Sequence, residues 1–143
     1  MYKKLSERKR FSIVARGRSF KHAFRGVGII FRTQHNAWVH GLVALVVILM
    51  GLGFDISVGE WAVVILSITS VLAAEAFNTA VEIDMDLTSP NYHPYARDTK
   101  DVASAAVLIT ALGALIVGLV IFIPKIIFYS IEGKSFFTPL KHF

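Results

Sequence analysis

The chain has 143 residues, of which 55% are hydrophobic and only 17% are charged. A soluble domain has roughly 25% charged residues, and the mean hydropathy here is +0.60, so the composition indicates a membrane protein. The chain contains no cysteine, which excludes disulfides, thiolate catalysis and thiolate-bound metals.

The basic residues are concentrated near the amino terminus. Residues 1–35 contain 10 of the 15 Lys and Arg and one acid, Glu7, whereas the remaining residues carry more acids than bases. A basic flank ahead of apolar segments is typical of a cytoplasmic segment that contacts anionic lipid headgroups. We expect no nucleic-acid partner, because no soluble reader domain follows the basic segment.

The basic segment has the pattern of an amphipathic helix. Its apolar residues fall on one side of a helix and its cations on the other: Phe20, Ala23, Phe24, Val27, Ile30 and Phe31 against Arg18, Lys21, Arg25 and Arg32. We therefore predict a surface helix within residues 1–35, with Arg18 and Arg25 as candidate phosphate contacts. The alternative, a merely solubilising basic tail, requires no such periodicity.

Three apolar segments follow, over about residues 36–55, 58–87 and 101–128, and residues 129–143 form a tail. At about 1.5 Å per residue, each segment is long enough to cross a bilayer. The chain is thus predicted to be a single all-α membrane domain with a surface helix and three transmembrane helices. The positive-inside rule places the amino terminus in the cytoplasm, because its excess of cations is much larger than that of the tail.

The second apolar segment contains two glutamates on one helix face. The polar residues that share this face follow one another at helical spacing: Glu75, Asn78, Thr79, Glu82 and Asp86. Charges inside a membrane helix are costly and usually face a partner or a functional cavity. A polar stripe that only joined helices would need no glutamates, so we interpret it as a functional site. Asp84 lies on the opposite side and is assigned no catalytic role.

The two glutamates differ in expected depth. With Asp86 near the membrane interface, Glu82 lies about 6 Å and Glu75 about 16 Å deeper, at ~1.5 Å per residue. The drier position of Glu75 favours a role as general base, while Glu82 is near enough to water to meet a soluble ion.

A polar cluster follows the second segment and leads into the third: Asn91, Tyr92, His93, Arg97, Asp98, Lys100 and Asp101, beside Ser104. Lys100 could neutralise phosphate, and Asp101 could orient a metal or a hydroxyl. Taken alone, the cluster is equally consistent with a solvated loop. Together with the glutamate stripe, it predicts a site where a charged water-soluble reagent meets a membrane-embedded one.

The segments EAFNTAVEIDMDL at residues 75–87 and NYHPYARDTKDVASAAVLI at residues 91–109 resemble the prokaryotic diacylglycerol kinase and undecaprenol kinase family. Both the helix motif and the loop that ends in Lys-Asp match in order and spacing. The resemblance extends from about Ser19 to about Ile123. It implies a homotrimeric enzyme of the bacterial cytoplasmic membrane that transfers the γ-phosphoryl of MgATP to the hydroxyl of a membrane lipid.

The resemblance also implies roles for individual residues. Glu75 would be the general base, with Asn78 and Ser104 near the lipid alcohol, and Glu82 would bind Mg²⁺ and ATP. The positions that would contact the nucleotide are Asn91, Tyr92, His93, Lys100 and Asp101. The short loop and the HNAWVH segment at residues 35–40 look more like the undecaprenol branch than the diacylglycerol branch, so undecaprenol is the expected acceptor.

The chain departs from the family at the metal site. Members usually carry another glutamate in or just after the surface helix, whereas this chain has Gln34 there and no acid from residue 8 to residue 54. Either the Gln34 carboxamide oxygen binds Mg²⁺ in place of that glutamate, or Glu82 and the ATP phosphates hold Mg²⁺ with water and another acid, such as Asp86 or Asp101.

Two other functions compete with the kinase prediction. A transport or proton-conducting bundle would also carry membrane glutamates, but it would be indifferent to ATP and leaves the Lys100–Asp101 cluster unexplained. A non-catalytic scaffold derived from the kinase family is conceivable because of Gln34, although loss of Glu82 or Asn78 would have favoured it more and both are present.

Overall fold

The structure is a computed structural model that describes residues 13–132, and the side chains from residue 17 onward. Four helices follow one another: α1 (Ile13–Thr33), α2 (His35–Gly53), α3 (Val58–Thr88) and α4 (Pro94–Glu132). No strand occurs within the described range. Residues 1–12 of the predicted surface helix and residues 133–143 of the predicted tail lie outside it.

Three of the helices in residues 13–132 are long and apolar enough to cross a membrane: His35–Gly53, Val58–Thr88 and Pro94–Ile131. The predicted all-α membrane class, with a helix ahead of three spans, is therefore confirmed. Helix α1 is amphipathic, and its residues Phe20 and Phe24 are exposed in the single chain. Such a face needs an apolar environment outside the chain.

Helix α4 begins seven residues earlier than the sequence analysis placed the third span. Residues 94–100 are helical, so the predicted polar connection up to residue 101 was too long, and the non-helical part covers residues 89–93. Pro94 explains the difference, because proline is well suited to the first helical position, where its missing N–H is not needed. As a result Arg97, Lys100 and Asp101 lie on a helix, which fixes their spacing.

A single extended residue, Gln34 (φ −111°, ψ 114°), separates α1 from α2. The indole N–H of Trp38 donates to the Phe31 carbonyl at 2.8 Å, and the two rings pack edge to face with centroids 5.4 Å apart. The Phe31 ring also lies against Gly41, where a Cβ would be 3.5 Å from it. These contacts on both sides of Gln34 fix the direction in which its side chain leaves the junction.

The turn between α2 and α3 is closed by local hydrogen bonds. Asp55 has φ 48°, a left-handed conformation that aspartate tolerates better than most residues. Ser57 caps α3: its hydroxyl accepts from the Glu60 N–H at 3.3 Å, and the Ser57 N–H donates to the Glu60 carboxylate at 2.7 Å. This reciprocal pair satisfies two N–H groups at the helix start.

An apolar cluster packs this turn against the end of α4 and is built from Phe54, Ile56, Val64, Ile121, Phe122 and Tyr129. The Lys125 ammonium, 3.2 Å from the Glu60 carboxylate, joins the same two parts of the chain. These contacts join the start of α3 to the end of α4 and so help to set how the two helices pack along their length.

We expect Gly51→Ala to destabilise the fold. A Cβ at Gly51 would lie 2.7 Å from the Trp61 ring and 3.1 Å from Ile56, so the packed cluster must move. Overpacking of this kind costs about 1–3 kcal/mol, against about 1 kcal/mol gained by replacing a helical glycine. Thermal unfolding in detergent micelles measures the balance.

Gly59→Ala is the matched control, because a Cβ at Gly59 meets nothing within 4 Å. The same substitution there should leave the melting temperature unchanged or slightly raised. Equal melting temperatures for the two variants would contradict the packing of Trp61 on Gly51.

Candidate functional site

The polar stripe of α3 is buried where it is deepest in the span. Glu75 is 1% exposed, Thr79 2% and Asn78 6%, whereas Asp84 on the other side of the helix is exposed. The Asn78 amide N–H donates to Glu82 Oε1 at 2.9 Å, one turn along the same face. The structure thus places these residues on one helix face, as the spacing predicted.

Glu82 is the point at which three parts of the chain meet. Its Oε1 accepts from Asn78 on α3, and its Oε2 accepts from the side-chain amide of Gln34, at the junction of α1 and α2. The Ser104 hydroxyl on α4 donates to Asn78 Oδ1 at 3.3 Å. These four residues form one hydrogen-bonded chain, which we call the Glu82 network: Ser104, Asn78, Glu82 and Gln34.

Glu75 lies on the same face but outside the Glu82 network. Both of its carboxylate oxygens are buried, and neither has a hydrogen-bond partner within the described part of the chain. The Thr79 hydroxyl, one helical turn along α3, donates to the Glu75 backbone carbonyl at 2.8 Å and not to its carboxylate. Buried polar atoms are normally paired, so an unpaired carboxylate inside a span indicates a functional group.

A polar pocket of about 290 Å³ lies where α3 ends and α4 begins. It is lined by Met85, Asp86, Ser89, Pro90, Asn91, Tyr92, His93, Ala96, Arg97, Lys100 and Asp101. The structure therefore brings together five of the six residues that the resemblance assigned to ATP, while the sixth, Glu82, does not line this pocket. Asp86 lines the same pocket, while Arg18 and Arg25 lie exposed on α1 and do not.

The cations of this pocket are paired with acids of the same pocket. The Lys100 ammonium contacts the Asp86 carboxylate, which joins α4 to the end of α3. One turn earlier on α4, Arg97 lies 3.6 Å from Asp101. Arg97, Asp101 and Asp86 are largely exposed and Lys100 is partly exposed, so water screens both ion pairs and a phosphate can compete for the cations.

An apolar cavity of about 460 Å³ between α2, α3 and α4 was not foreseen from the sequence. Small residues on α2 and α4 leave the space open: Ala44, Ala111, Ala114 and Gly118. On α3 its lining ends at Leu72, one helical turn before Glu75. Small residues at helical spacing on α4 were the available clue, but such residues are equally typical of helix packing.

The residues around Glu82 fit Mg²⁺ only if other ligands, such as nucleotide phosphates, complete its coordination. Among the described residues, no group of three His, Cys, Asp or Glu could hold a metal ion. Glu82 supplies one carboxylate, a hard ligand, while Gln34 and Asn78 turn their amide N–H groups toward it. Mg²⁺ bound through one carboxylate and the phosphates of a nucleotide is a common arrangement. The candidate acids Asp86 and Asp101 are instead ion-paired with Lys100 and Arg97.

Comparison with known proteins assigns the chain to a family. The sequence profile described as "Prokaryotic diacylglycerol kinase" matches residues 21–122, which include every site residue from Gln34 to Ser104. The undecaprenol kinase of Bacillus subtilis is 38% identical over 109 residues, which cover 76% of this chain and 89% of that protein.

Two relatives named diacylglycerol kinase are also similar. The Synechocystis protein is 36% identical over 110 residues, which cover 76% of this chain and 63% of the relative. The Escherichia coli K12 protein is 26% identical over 104 residues, covering 68% of this chain and 85% of the relative. With a profile match over most of its length and relatives that are lipid kinases, the chain belongs to the prokaryotic diacylglycerol kinase family and is a membrane lipid kinase.

Proposed function

We propose that this chain transfers the γ-phosphoryl group of MgATP to the hydroxyl of a membrane lipid alcohol, with undecaprenol as the preferred acceptor. The observation that carries the proposal is the single face of α3. It presents first the buried Glu75, which has no hydrogen-bond partner among the described residues, then Glu82, and then the polar pocket at the helix end. Along such a face an acceptor from the lipid phase can meet a donor from water.

Glu75 is suited to act as the general base. Its oxygens have no competing hydrogen bond in the described chain, so they are available to the hydroxyl of a lipid alcohol. As that oxygen bonds to the γ-phosphorus and the bond to the bridging oxygen of ADP breaks, Glu75 takes the hydroxyl proton. The products are the lipid phosphate and ADP.

The polar pocket is suited to hold the nucleotide. Lys100 and Arg97 offer positive charge to the phosphates, and Asn91, Tyr92 and His93 lie on the same wall. Glu82 would hold Mg²⁺ together with the phosphates, while Gln34 and Asn78 donate hydrogen bonds to Glu82. Mg²⁺ would supply charge neutralisation at the phosphates when bound. Phosphoryl transfer depends chiefly on positioning and on this neutralisation.

Two observations support undecaprenol as the acceptor. The Bacillus subtilis relative, of which 89% is covered, is named undecaprenol kinase. The short connection between α3 and α4 also resembles that branch of the family. Family membership further favours the kinase over the transport-type and non-catalytic alternatives.

We also propose that the active form is a homotrimer in the bacterial cytoplasmic membrane, with the amino terminus in the cytoplasm. One chain leaves long apolar faces exposed, and small residues on α3 and α4 permit close helix packing: Ala73, Ala76, Ala80, Ala103, Ala105 and Ala106. In this arrangement α1 lies on the membrane surface, and Arg18 and Arg25 contact anionic headgroups.

The substitution Glu75→Gln tests the proposed base. It keeps the size of the side chain and removes its ability to take a proton, so kcat should fall at least about 100-fold with little change in KM for ATP. Transfer from radiolabelled ATP to lipid in mixed micelles measures both. Asp84→Asn is the matched control, because this acid is exposed on the other side of α3, and its activity should equal that of the wild type. Wild-type turnover by the folded Glu75→Gln variant would refute the role of Glu75.

The variant Lys100→Met tests the nucleotide pocket. It removes the ammonium group that lies beside Asp86 and keeps most of the side-chain length, so KM for ATP should rise about tenfold or more. Lys125→Met serves as the control, since Lys125 pairs with Glu60 at the other end of the bundle, and its KM for ATP should be unchanged. A normal KM for Lys100→Met would place the nucleotide elsewhere.

The acceptor is tested by offering undecaprenol and diacylglycerol separately at equal mole fraction in the same micelles. We expect kcat/KM to be higher for undecaprenol. A higher value for diacylglycerol would assign the chain to the other branch, and the absence of product from either lipid would refute the proposed reaction for both acceptors.

A further inference from the structure

The carboxylate of Glu82 is already satisfied by two neutral partners. Oε1 accepts from the Asn78 amide at 2.9 Å, and Oε2 accepts from the Gln34 amide. A carboxylate can only accept hydrogen bonds, so both amides must turn their NH₂ groups toward Glu82 and their oxygens away. This orientation is the opposite of the one in which an amide oxygen would ligate a cation beside Glu82.

The Asn78 amide is fixed in this orientation from the far side. The Ser104 hydroxyl donates to Asn78 Oδ1 at 3.3 Å, and Asn78 is only 6% exposed. Turning this amide over would point its oxygen at the Glu82 carboxylate, which cannot donate, and would require the Ser104 hydroxyl to accept instead of donate. Asn78 therefore remains a donor to Glu82 and a poor candidate for direct ligation.

Gln34 is held at the junction of α1 and α2, across from Glu82 on α3. It reaches Glu82 across 48 residues of sequence, and its backbone is fixed by the Phe31–Trp38 contacts on either side. A cation that binds Glu82 must either displace this amide, which costs a hydrogen bond to a charged group, or use a remaining lone pair beside two amide N–H groups that repel it.

The polar pocket, whose lining on α3 begins at Met85, offers few groups that would favour a cation at Glu82. Its two acids, Asp86 and Asp101, are ion-paired with Lys100 and Arg97. Mg²⁺ sheds its water reluctantly and is rarely held by one carboxylate without phosphate oxygens. A triphosphate in the pocket would supply those oxygens and would at the same time compete for Lys100.

We propose that Gln34 and Asn78 keep Glu82 as an amide-capped carboxylate, so that the chain binds a divalent cation only together with a nucleoside triphosphate. Gln34 is then the residue that sets the affinity for free cation, and it acts on the cation through Glu82. This inference rests on the proposed function and deepens it, because it fixes how the two charged ligands are loaded.

The test uses Mn²⁺ as a probe and the purified chain in nonionic detergent, free of anionic lipid. Equilibrium dialysis of radioactive Mn²⁺, with and without the non-hydrolysable β,γ-imido analogue of ATP on both sides of the membrane, gives the Mn²⁺ held by the chain in excess of that chelated by the free analogue. We expect the wild type to bind Mn²⁺ at least about tenfold more tightly when the analogue is present, because the phosphates add oxygen ligands.

The variant Gln34→Glu replaces the capping amide with a second carboxylate. It should bind Mn²⁺ without nucleotide about tenfold or more tightly than the wild type does, because ligand charge governs the affinity of such sites. Asp84→Asn, which removes an exposed acid from the other side of α3, should change neither affinity. If Gln34→Glu proves unstable, the Mn²⁺ affinity of the wild type with and without the analogue still tests the inference.

Equal Mn²⁺ affinity of the wild type with and without bound analogue would overturn the inference, as would a folded Gln34→Glu variant with unchanged affinity for free Mn²⁺. Equilibrium dialysis of the radiolabelled analogue in excess Mn²⁺ separates the two proposals. Failure of the folded wild type to bind the analogue would refute the proposed function and this inference with it, whereas normal analogue binding confines a failure to the inference.

Discussion

The need to satisfy polar groups inside an apolar medium governs this structure. Water supplies few partners within a bilayer, so a partly buried carboxylate takes its hydrogen bonds from neighbouring side chains. Glu82 does so through Asn78 on its own helix and through Gln34 at the α1–α2 junction. Ser104 extends the network to α4. The positions of the junction and of α4 relative to α3 are thereby linked to one charged group.

The two ends of the bundle are held by different forces. At the turn between α2 and α3, packed aromatic and aliphatic side chains and the Glu60–Lys125 pair fix the helices to one another. At the opposite end, the contacts are polar, and the pairs formed by Lys100 and Arg97 are exposed. Apolar packing gives one end a single close-packed arrangement, whereas the screened ion pairs at the other end leave cations that can change partners.

The chemistry of a lipid kinase follows from this division. Glu75 lies deep on the face of α3, away from the pocket lining and without a hydrogen-bond partner in the described chain. The polar pocket lies at the end of the same helix, where water and its solutes have access. One helix thus carries both the buried carboxylate proposed as the base and, at its end, the polar pocket proposed for the nucleotide.

The sequence by itself determined the helices and the polar stripe, because both depend on local periodicity. Long uncharged runs specify spans, and spacings of three and four residues place Glu75, Asn78 and Glu82 on one face whatever surrounds the helix.

The presence of Gln34 where the family usually has a glutamate was also visible in the sequence, but the hydrogen-bond partner of Gln34 was not. Only the tertiary structure decided that Gln34 donates to Glu82, that Lys100 pairs with Asp86, and that α4 starts at Pro94. The first two join residues 48 and 14 positions apart, so they depend on how the helices pack. The third depends on a proline that suits both a loop and a helix start, a choice that local sequence leaves open.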